Sequence, residues 1–312
     1  MAVANHEGSK IEFAQGDADI APVVGQHIHD FAFQSATITA RTNTETVPAI
    51  GFRGVAAITD LIGTVELALD GILTYEGAGA NYPNKGAAGL LDTDLYSLVS
   101  LFGNIVIDTR GEDTLDVGQK CTMSGMYVTG VSFTFNQNAS ATSTWNFVGY
   151  DCEWEDSDFD FTADMTVGTG INFTPLASKD VELSITAPTG DASGVQSVNF
   201  NATINRTEVY QLGTLAPIDR PVTFPFEVTA SIEMLADTAS LVRNVTPNYT
   251  WNNSATPAIP NSFLIAVDHK DNPAGQRIVG APLMRPVDGT LTVSVGNNST
   301  VTISFTGWNL EF

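Results

Sequence analysis

His27 and His29 flank Ile28 and precede Asp30, so on an extended strand both imidazoles share one side. Two histidines beside a carboxylate have the donor chemistry for zinc. A further ligand would have to come from His6 or His269, and no spacing favours either. The pair reads more simply as polar residues on an exposed strand face. A second cluster lies in the acidic run Asp151 to Asp164, where Asp156, Asp158 and Asp160 alternate with Ser157 and Phe159. On a strand these carboxylates share a face and repel unless water or a cation screens them. Calcium takes six to eight oxygens, but the run lacks the glycine and glutamate spacing of a calcium loop. It reads as a solvated acidic face, with the three aspartates as weak metal candidates.

Other chemistry leaves little trace. Acid pairs of the kind that hydrolyse glycosides occur by chance in any acidic chain. No nucleophile elbow, phosphate-binding glycine loop, His-Glu-x-x-His or Cys-x-x-Cys is present. Cys121 and Cys152 have no metal-type spacing; one disulfide is open to them, and free buried thiols are the simpler reading. The Asn-x-Ser/Thr triplets at Asn138, Asn201, Asn205, Asn244 and Asn248 follow from an Asn- and Thr-rich composition. The expectation is a protein with no catalytic site, cofactor or bound metal.

Composition narrows the partners. The 312 residues carry 35 acids and 13 basic groups, a net charge of −22, with only 15% charged residues against 43% hydrophobic ones. Such a surface repels phosphate backbones and anionic lipid, so a nucleic-acid clamp or a membrane-docking protein is not expected. The opening Met1–Phe13 lacks the apolar core of a signal peptide, and the apolar run Leu95–Ile107 is too short to span a bilayer. A soluble protein made in the cytoplasm is the expectation.

The elements that would position these residues are mostly strands. Val131–Phe135, Trp145–Phe147, Leu291–Val295 and Val301–Phe305 alternate apolar and polar residues. Asn-, Gly- and Ser-rich stretches join them as two hairpins. One helix is predicted over Asp92–Gly103, capped by Asp92, with Leu95, Leu98, Val99 and Phe102 as its apolar stripe.

An internal repeat organises the chain. Ser143–Trp154 (STWNFVGYDCEW) aligns with Val301–Phe312 (VTISFTGWNLEF), matching Phe147 to Phe305, Gly149 to Gly307 and Tyr150 to Trp308. Weaker matches precede them in the same order. Phe33-Gln34-Ser35 aligns with Val195-Gln196-Ser197, Glu45-Thr46-Val47 with Thr207-Glu208-Val209, and Ile50-Gly51 with Leu212-Gly213. The reading is a tandem duplication of two β domains, 1–164 and 165–312, with repeat cores near 25–160 and 185–312. The joint Asp164–Asp191 holds one predicted strand, Val181–Ile185. Residues 1–165 carry 23 acids and 6 bases (−17), and residues 166–312 carry 12 acids and 7 bases (−5).

Gly194 to Met234 resembles the tail tube proteins of long-tailed bacterial and archaeal viruses. Ser197, Val198, Phe200 and Arg206 match the family's Ser-Val-x-Phe…Arg strand, and Tyr210, Leu212 and Gly213 its Tyr-x-Leu-Gly element. Phe224, Pro225, Glu227, Val228 and Thr229 match its Phe-Pro-x-Glu-Val-Thr strand. The closing ISFTGWNLEF is similar to the family's final pattern, and Phe147–Asp151 carries the same signature. The resemblance implies two tandem β-sandwich or barrel domains with a flanking helix at least in the first. It also implies a structural virion protein of the tail, self-associating into stacked rings. Its other partners would be terminator, baseplate and tape-measure proteins, with DNA passing through an acidic lumen without specific binding. A double domain implies three chains per pseudo-hexameric ring. The alternatives are a baseplate hub or distal tail protein and, from another class, a secreted carbohydrate-binding or surface-layer sandwich.

Overall fold

The computed structural model of the chain describes residues 10–15, 27–29, 33–42, 44–48, 55–60, 63–76, 102–108, 118–157, 173–186, 194–213, 217–223, 225, 227–235, 263–270, 277–292 and 299–308. They form a mainly β, antiparallel protein. Its strands are β1 (Lys10–Gln15), β2 (His27–His29), β3 (Phe33–Arg41), β4 (Thr44–Pro48), β5 (Val55–Asp60) and β6 (Thr64–Ile72). Next come β7 (Thr74–Glu76), β8 (Phe102–Asp108), β9 (Gly118–Asn136), β10 (Thr142–Gly149), β11 (Asp151–Ser157) and β12 (Phe173–Pro175). The remainder are β13 (Val181–Thr186), β14 (Val195–Thr203), β15 (Glu227–Leu235), β16 (Phe263–His269), β17 (Arg277–Thr292) and β18 (Thr300–Trp308).

Fourteen strands share one sheet, whose main path runs β13-β16-β17-β18-β15-β14-β9-β10-β6-β3. The long β9 also takes β8 and β11 along its first half, and β8 takes β1. The pairing scheme therefore occurs twice. β1-β8-β9-β10-β6-β3 and β13-β16-β17-β18-β15-β14 are the same series of antiparallel neighbours, in the same chain order. Their irregularities coincide as well. β3 bulges between Phe33 and Ser35 against β6, and β14 between Val195 and Ser197 against β15. The β9–β10 register slips at Thr129, the β17–β18 register at Val287. β8 shifts between Gly103 and Ile105, and β16 between Phe263 and Ile265. Even the excursion after β3 recurs: the β4–β5 ladder Thr44↔Asp60 and Val47↔Ala57 has its counterpart in Arg206↔Val222 and Val209↔Asp219.

Alternation builds the core. Val65, Leu67, Leu69, Val131, Phe133, Trp145, Phe147, Val198, Phe200, Ile232, Ile303 and Phe305 all lie buried on one face. They join Ile105, Cys121, Met123, Ile265, Val267 and Met284 from the β8 and β16 ends in a single apolar cluster. Phe133 meets Trp145 edge-on, ring centroids 6.1 Å apart. Residues 173–180 are anchored by a closed triangle of backbone bonds. Leu73 donates to Ala141, Ala141 to Leu176 and Leu176 to Leu73, each at 2.8 Å, with all three side chains buried. The buried Asp180 accepts from the Ala177 N–H at 3.2 Å, which satisfies the carboxylate where a single 3-10 turn, Ser178–Asp180, leads into β13. The expected strand in the joint is thus present.

The helix over Asp92–Gly103 needs correction at its end. Phe102 and Gly103 begin β8, paired with Tyr127 and Met126 of β9. The β-branched run Ile105-Val106-Ile107 favours a pleated, half-buried edge, and that preference extends back through Phe102. Leu95, Leu98 and Val99 lie outside the described residues. Among the described residues there is no α-helix, and no helix long and apolar enough to cross a membrane.

Candidate functional site: a polar sheet face, a seam and two open edges

Opposite the core, the strands from β3 to the end of β17 present Ser, Thr and Asn in rows. Ser132, Thr134, Thr144, Asn146, Asn199, Asn201, Thr229, Ser231, Thr302 and Ser304 alternate with buried neighbours, and Ser35, Thr37, Thr39 and Thr290 continue the rows on the two outer strands. Among the described residues of these rows, five carboxylates, Glu66, Asp70, Glu227, Glu233 and Asp288, stand against Arg41 and Arg285 and no lysine. The acids are tied to hydroxyls. Ser35 Oγ donates to Asp70 at 3.1 Å and Thr144 Oγ1 at 2.6 Å; at the corresponding place Ser197 Oγ donates to Glu233 at 3.4 Å. Arg41 reaches Glu66 at 3.3 Å, both exposed, so the pair adds little stability. Chemically this face, among the described residues, is hydrophilic and weakly anionic.

The second feature is the seam where β14 pairs with β9. The chain leaving β14 folds back over the middle of β9, at Tyr127–Thr129, and the end of β10, and inserts two arginines there. Arg206 donates from Nε to the Val128 carbonyl at 3.1 Å and from Nη1 to the Arg220 carbonyl at 3.0 Å. Arg220, buried, donates to the Val148 carbonyl at 3.2 Å and pairs with Glu208 at 2.9 Å. Both guanidiniums lie over the Tyr127 ring, 4.8 Å and 5.6 Å from its centroid. Burial pulls the Arg206 pKa down to about 10, so it is still charged at neutral pH. Burial, reinforced by Asp219, raises that of Tyr127, so the phenol stays neutral. The cleft here has a volume of about 440 Å³. Its cations already answer carbonyl oxygens and Glu208, which makes it a lock between distant segments.

The third feature is what the sheet leaves open. Among the described residues β3 pairs only with β6, and the Asp288–Thr292 stretch of β17 only with β18. These are the two edges that correspond to β14 and β9, the strands that meet at the seam.

The sequence-predicted positions divide accordingly. Ser197 bonds Glu233, Phe200 is in the core and Arg206 is in the seam. Tyr210 is exposed, with its hydroxyl on Glu208, a bond that raises its pKa. Gly213 has φ +92, a left-handed turn that glycine alone adopts at no cost. Pro225 and Glu227 are exposed, and Phe224 lies outside the described residues. Phe147 and Phe305 are buried at corresponding places; Gly149 and Gly307 are buried two residues on. Asp156 sits in β11 opposite Gln119, while Asp158 and Asp160 lie outside the described residues. β2 places His27 and His29 opposite Ala14 and Glu12 of β1. Among the described residues no group of three or more His, Cys, Asp or Glu could hold a metal. Cys121 and Cys152 are free thiols, with sulfurs 3.2 Å apart. Tyr127, Arg220, Arg41 and Asp288 carried no sequence signal, because their roles depend on strands that meet only in the fold.

No family model matches the chain, and no curated protein matches it.

Proposed function

We propose that this chain is a structural virion protein, the major subunit of a viral tail tube, with no catalytic site. Its two halves are tandem tube-type β domains, and three chains close a pseudo-hexameric ring that stacks into a conduit for DNA. The observation that carries this reading is the doubled pairing scheme. One half already receives the other through β9–β14, and the two edges left over are the same two strands of the scheme. A head-to-tail contact of this kind repeats until the rotation closes. It also covers the unpaired backbone of edge strands, which otherwise templates aggregation. The rows of hydroxyls and amides with five carboxylates and no lysine suit a lumen wall, since each phosphate contact needs a cation to displace its counterions.

Negative-stain microscopy of the purified protein tests the reading. Rings or tubes with an axial hole and three chains per ring are expected. Six whole chains per ring, or a monomer that never stacks, would overturn it. Abundance in virions separates a tube subunit, among the strongest bands, from a baseplate hub, among the faintest.

A further inference from the structure

We infer the register in which one copy of this chain adds to the next: the β3 edge pairs antiparallel with the β17 edge of a second copy, Arg41 opposite Asp288. The inference rests on the tube-subunit reading and deepens it by naming the contact. The seam supplies the template. There Thr203 stands opposite Gly130, Asn201 opposite Ser132 and Asn199 opposite Thr134. The matching bulges carry β14 onto β3, so that Thr203, Asn201 and Asn199 become Arg41, Thr39 and Thr37. The matching β10 and β18 ladders carry β9 onto β17, so that Gly130, Ser132 and Thr134 become Asp288, Thr290 and Thr292. The transferred pairs are Arg41↔Asp288, Ala40↔Gly289, Thr39↔Thr290, Ile38↔Leu291 and Thr37↔Thr292.

Three features of these strands, none used in making the transfer, agree with it. Arg41, the one cation of β3, meets a carboxylate, although the template pair Thr203↔Gly130 carries no charge. Polar positions meet polar positions and apolar meet apolar, so the core face and the hydroxyl face both continue across the contact. The bulky Arg41 is exposed and already leans toward Glu66, so Asp288 would complete a carboxylate on each side of it. The described residues leave the β17 edge open as well. β16 occupies β17 only up to Met284, as β8 occupies β9 only up to Tyr127, and the stretch beyond is the one that receives β14 at the seam.

The hydrogen-bond phase fixes which pairs are close. At the seam the Ile204 N–H donates to the Thr129 carbonyl at 2.8 Å, so Asn201↔Ser132 is a non-hydrogen-bonded pair. Its transferred equivalent Thr39↔Thr290 is then also of the close type, with Cα atoms about 4.5 Å apart, within reach of a disulfide. The full-length double variant Thr39→Cys/Thr290→Cys, oxidised after assembly, should give a ladder of covalently linked chains ending at trimers. Thr39→Cys/Thr292→Cys, one diagonal step away, should link at least tenfold more slowly. Wild type, which keeps Cys121 and Cys152, and each single variant should give no ladder.

A charge exchange provides the second arm. Arg41→Glu and Asp288→Arg should each raise the concentration needed for ring formation about tenfold, and the double variant should bring it back. A circular dichroism melt of each variant checks that it has folded. Rings that form without the in-register ladder and ignore the charge exchange would overturn the register and leave the tube reading standing. A wild-type protein that forms no rings would overturn both.

Discussion

Replacing Phe305 by alanine tests whether the β9–β14 seam couples the two halves into one cooperative unit. Phe305 is 2% exposed and lies between Ala230 of β15 and Pro286 of β17. A buried phenyl ring removes roughly 150 Å² or more from water, worth about 3–4 kcal/mol at about 25 cal/mol per Å². The β-carbon that remains keeps some of this, and the cavity left behind adds a further cost, which gives about 3–5 kcal/mol. Phe147, 4% exposed between Leu67 and Val128, should cost the same within about 1 kcal/mol. The two rings stand four strand spacings apart, roughly 19 Å, so the double variant should be additive within about 0.5 kcal/mol. Urea unfolding followed by tryptophan fluorescence reads this out. Trp145, buried in the Phe147 half, is the reporter, with a Trp145→Phe variant to isolate its signal; Trp154 and Trp308 are already exposed. If the seam couples the halves, Phe305→Ala moves the Trp145 transition by its full cost, although Trp145 belongs to the other half. A Trp145 transition left in place, with a separate earlier transition for the rest of the chain, would refute the coupling. A cost below about 1 kcal/mol would refute the burial of Phe305.

Gly149→Ala should destabilise by about 1–3 kcal/mol, because the new methyl would lie 2.2 Å from Met126 Sδ and 2.8 Å from the Ser124 carbonyl oxygen. Adding Met126→Ala should recover only part of the loss seen in a melt, since the carbonyl cannot retreat. Glu208→Ala strands the buried Arg220 guanidinium and should cost about 2 kcal/mol, reduced from a fully buried pair because Glu208 is 40% exposed. Arg220→Met added to it should return much of that stability, and a double-mutant cycle without positive coupling would contradict the lock. Burial, then the Cys152 contact, pushes the Cys121 thiol up to about 12 from 9.0. An aromatic disulfide reagent at pH 8 should therefore modify Cys152 and spare Cys121. By linkage the native state should lose stability as pH climbs from about 9 towards 12, where the unfolded thiol ionises and the folded one does not. Cys121→Ala should flatten that part of a urea-midpoint profile.

Period-two alternation was enough to find β10, β18 and the second half of β9, because each has one buried and one wet face and the pattern is local. The match of Phe33-Gln34-Ser35 to Val195-Gln196-Ser197 marks a shared bulge, where backbone geometry restricts what can stand. What could not be read is whatever depends on distant strands meeting. β1 pairs with β8 across some ninety residues of chain, and the Arg220–Val148 bond spans 72 positions. Neither leaves a periodicity. The end of the expected helix failed for a related reason. Phe102 fits an apolar helical stripe and an apolar strand equally well, and only the neighbouring β9 decides.

The seam and its proposed counterpart between copies differ in a way that bears on assembly. The β4–β5 excursion corresponds to the Arg206–Val222 one in register, so Thr44 stands where Arg206 does and Ile58 where Arg220 does. On the other side of the contact Arg285 takes the position of Tyr127. The internal seam therefore has two guanidiniums over a phenol and two bonds to backbone carbonyls of the other half, and none of these can form between chains. A tether adds to the difference, since β9 and β14 belong to one polypeptide and meet at a high effective concentration. On the tube-subunit reading, the inner seam forms during folding and persists, while the outer one depends on backbone pairing and on Arg41 with Asp288. Assembly is then governed by the weaker contact, which salt and chain concentration can tune without unfolding the subunit. Installing the lock between chains, with Thr44→Arg, Thr46→Glu (the place of Glu208) and Ile58→Arg in β4–β5 and Arg285→Tyr in β17, should make rings that survive dilution where wild-type rings fall apart. Rings of the quadruple variant that dissociate at the wild-type concentration, from a subunit with an unchanged melting curve, would show that the two contacts are not built on one plan.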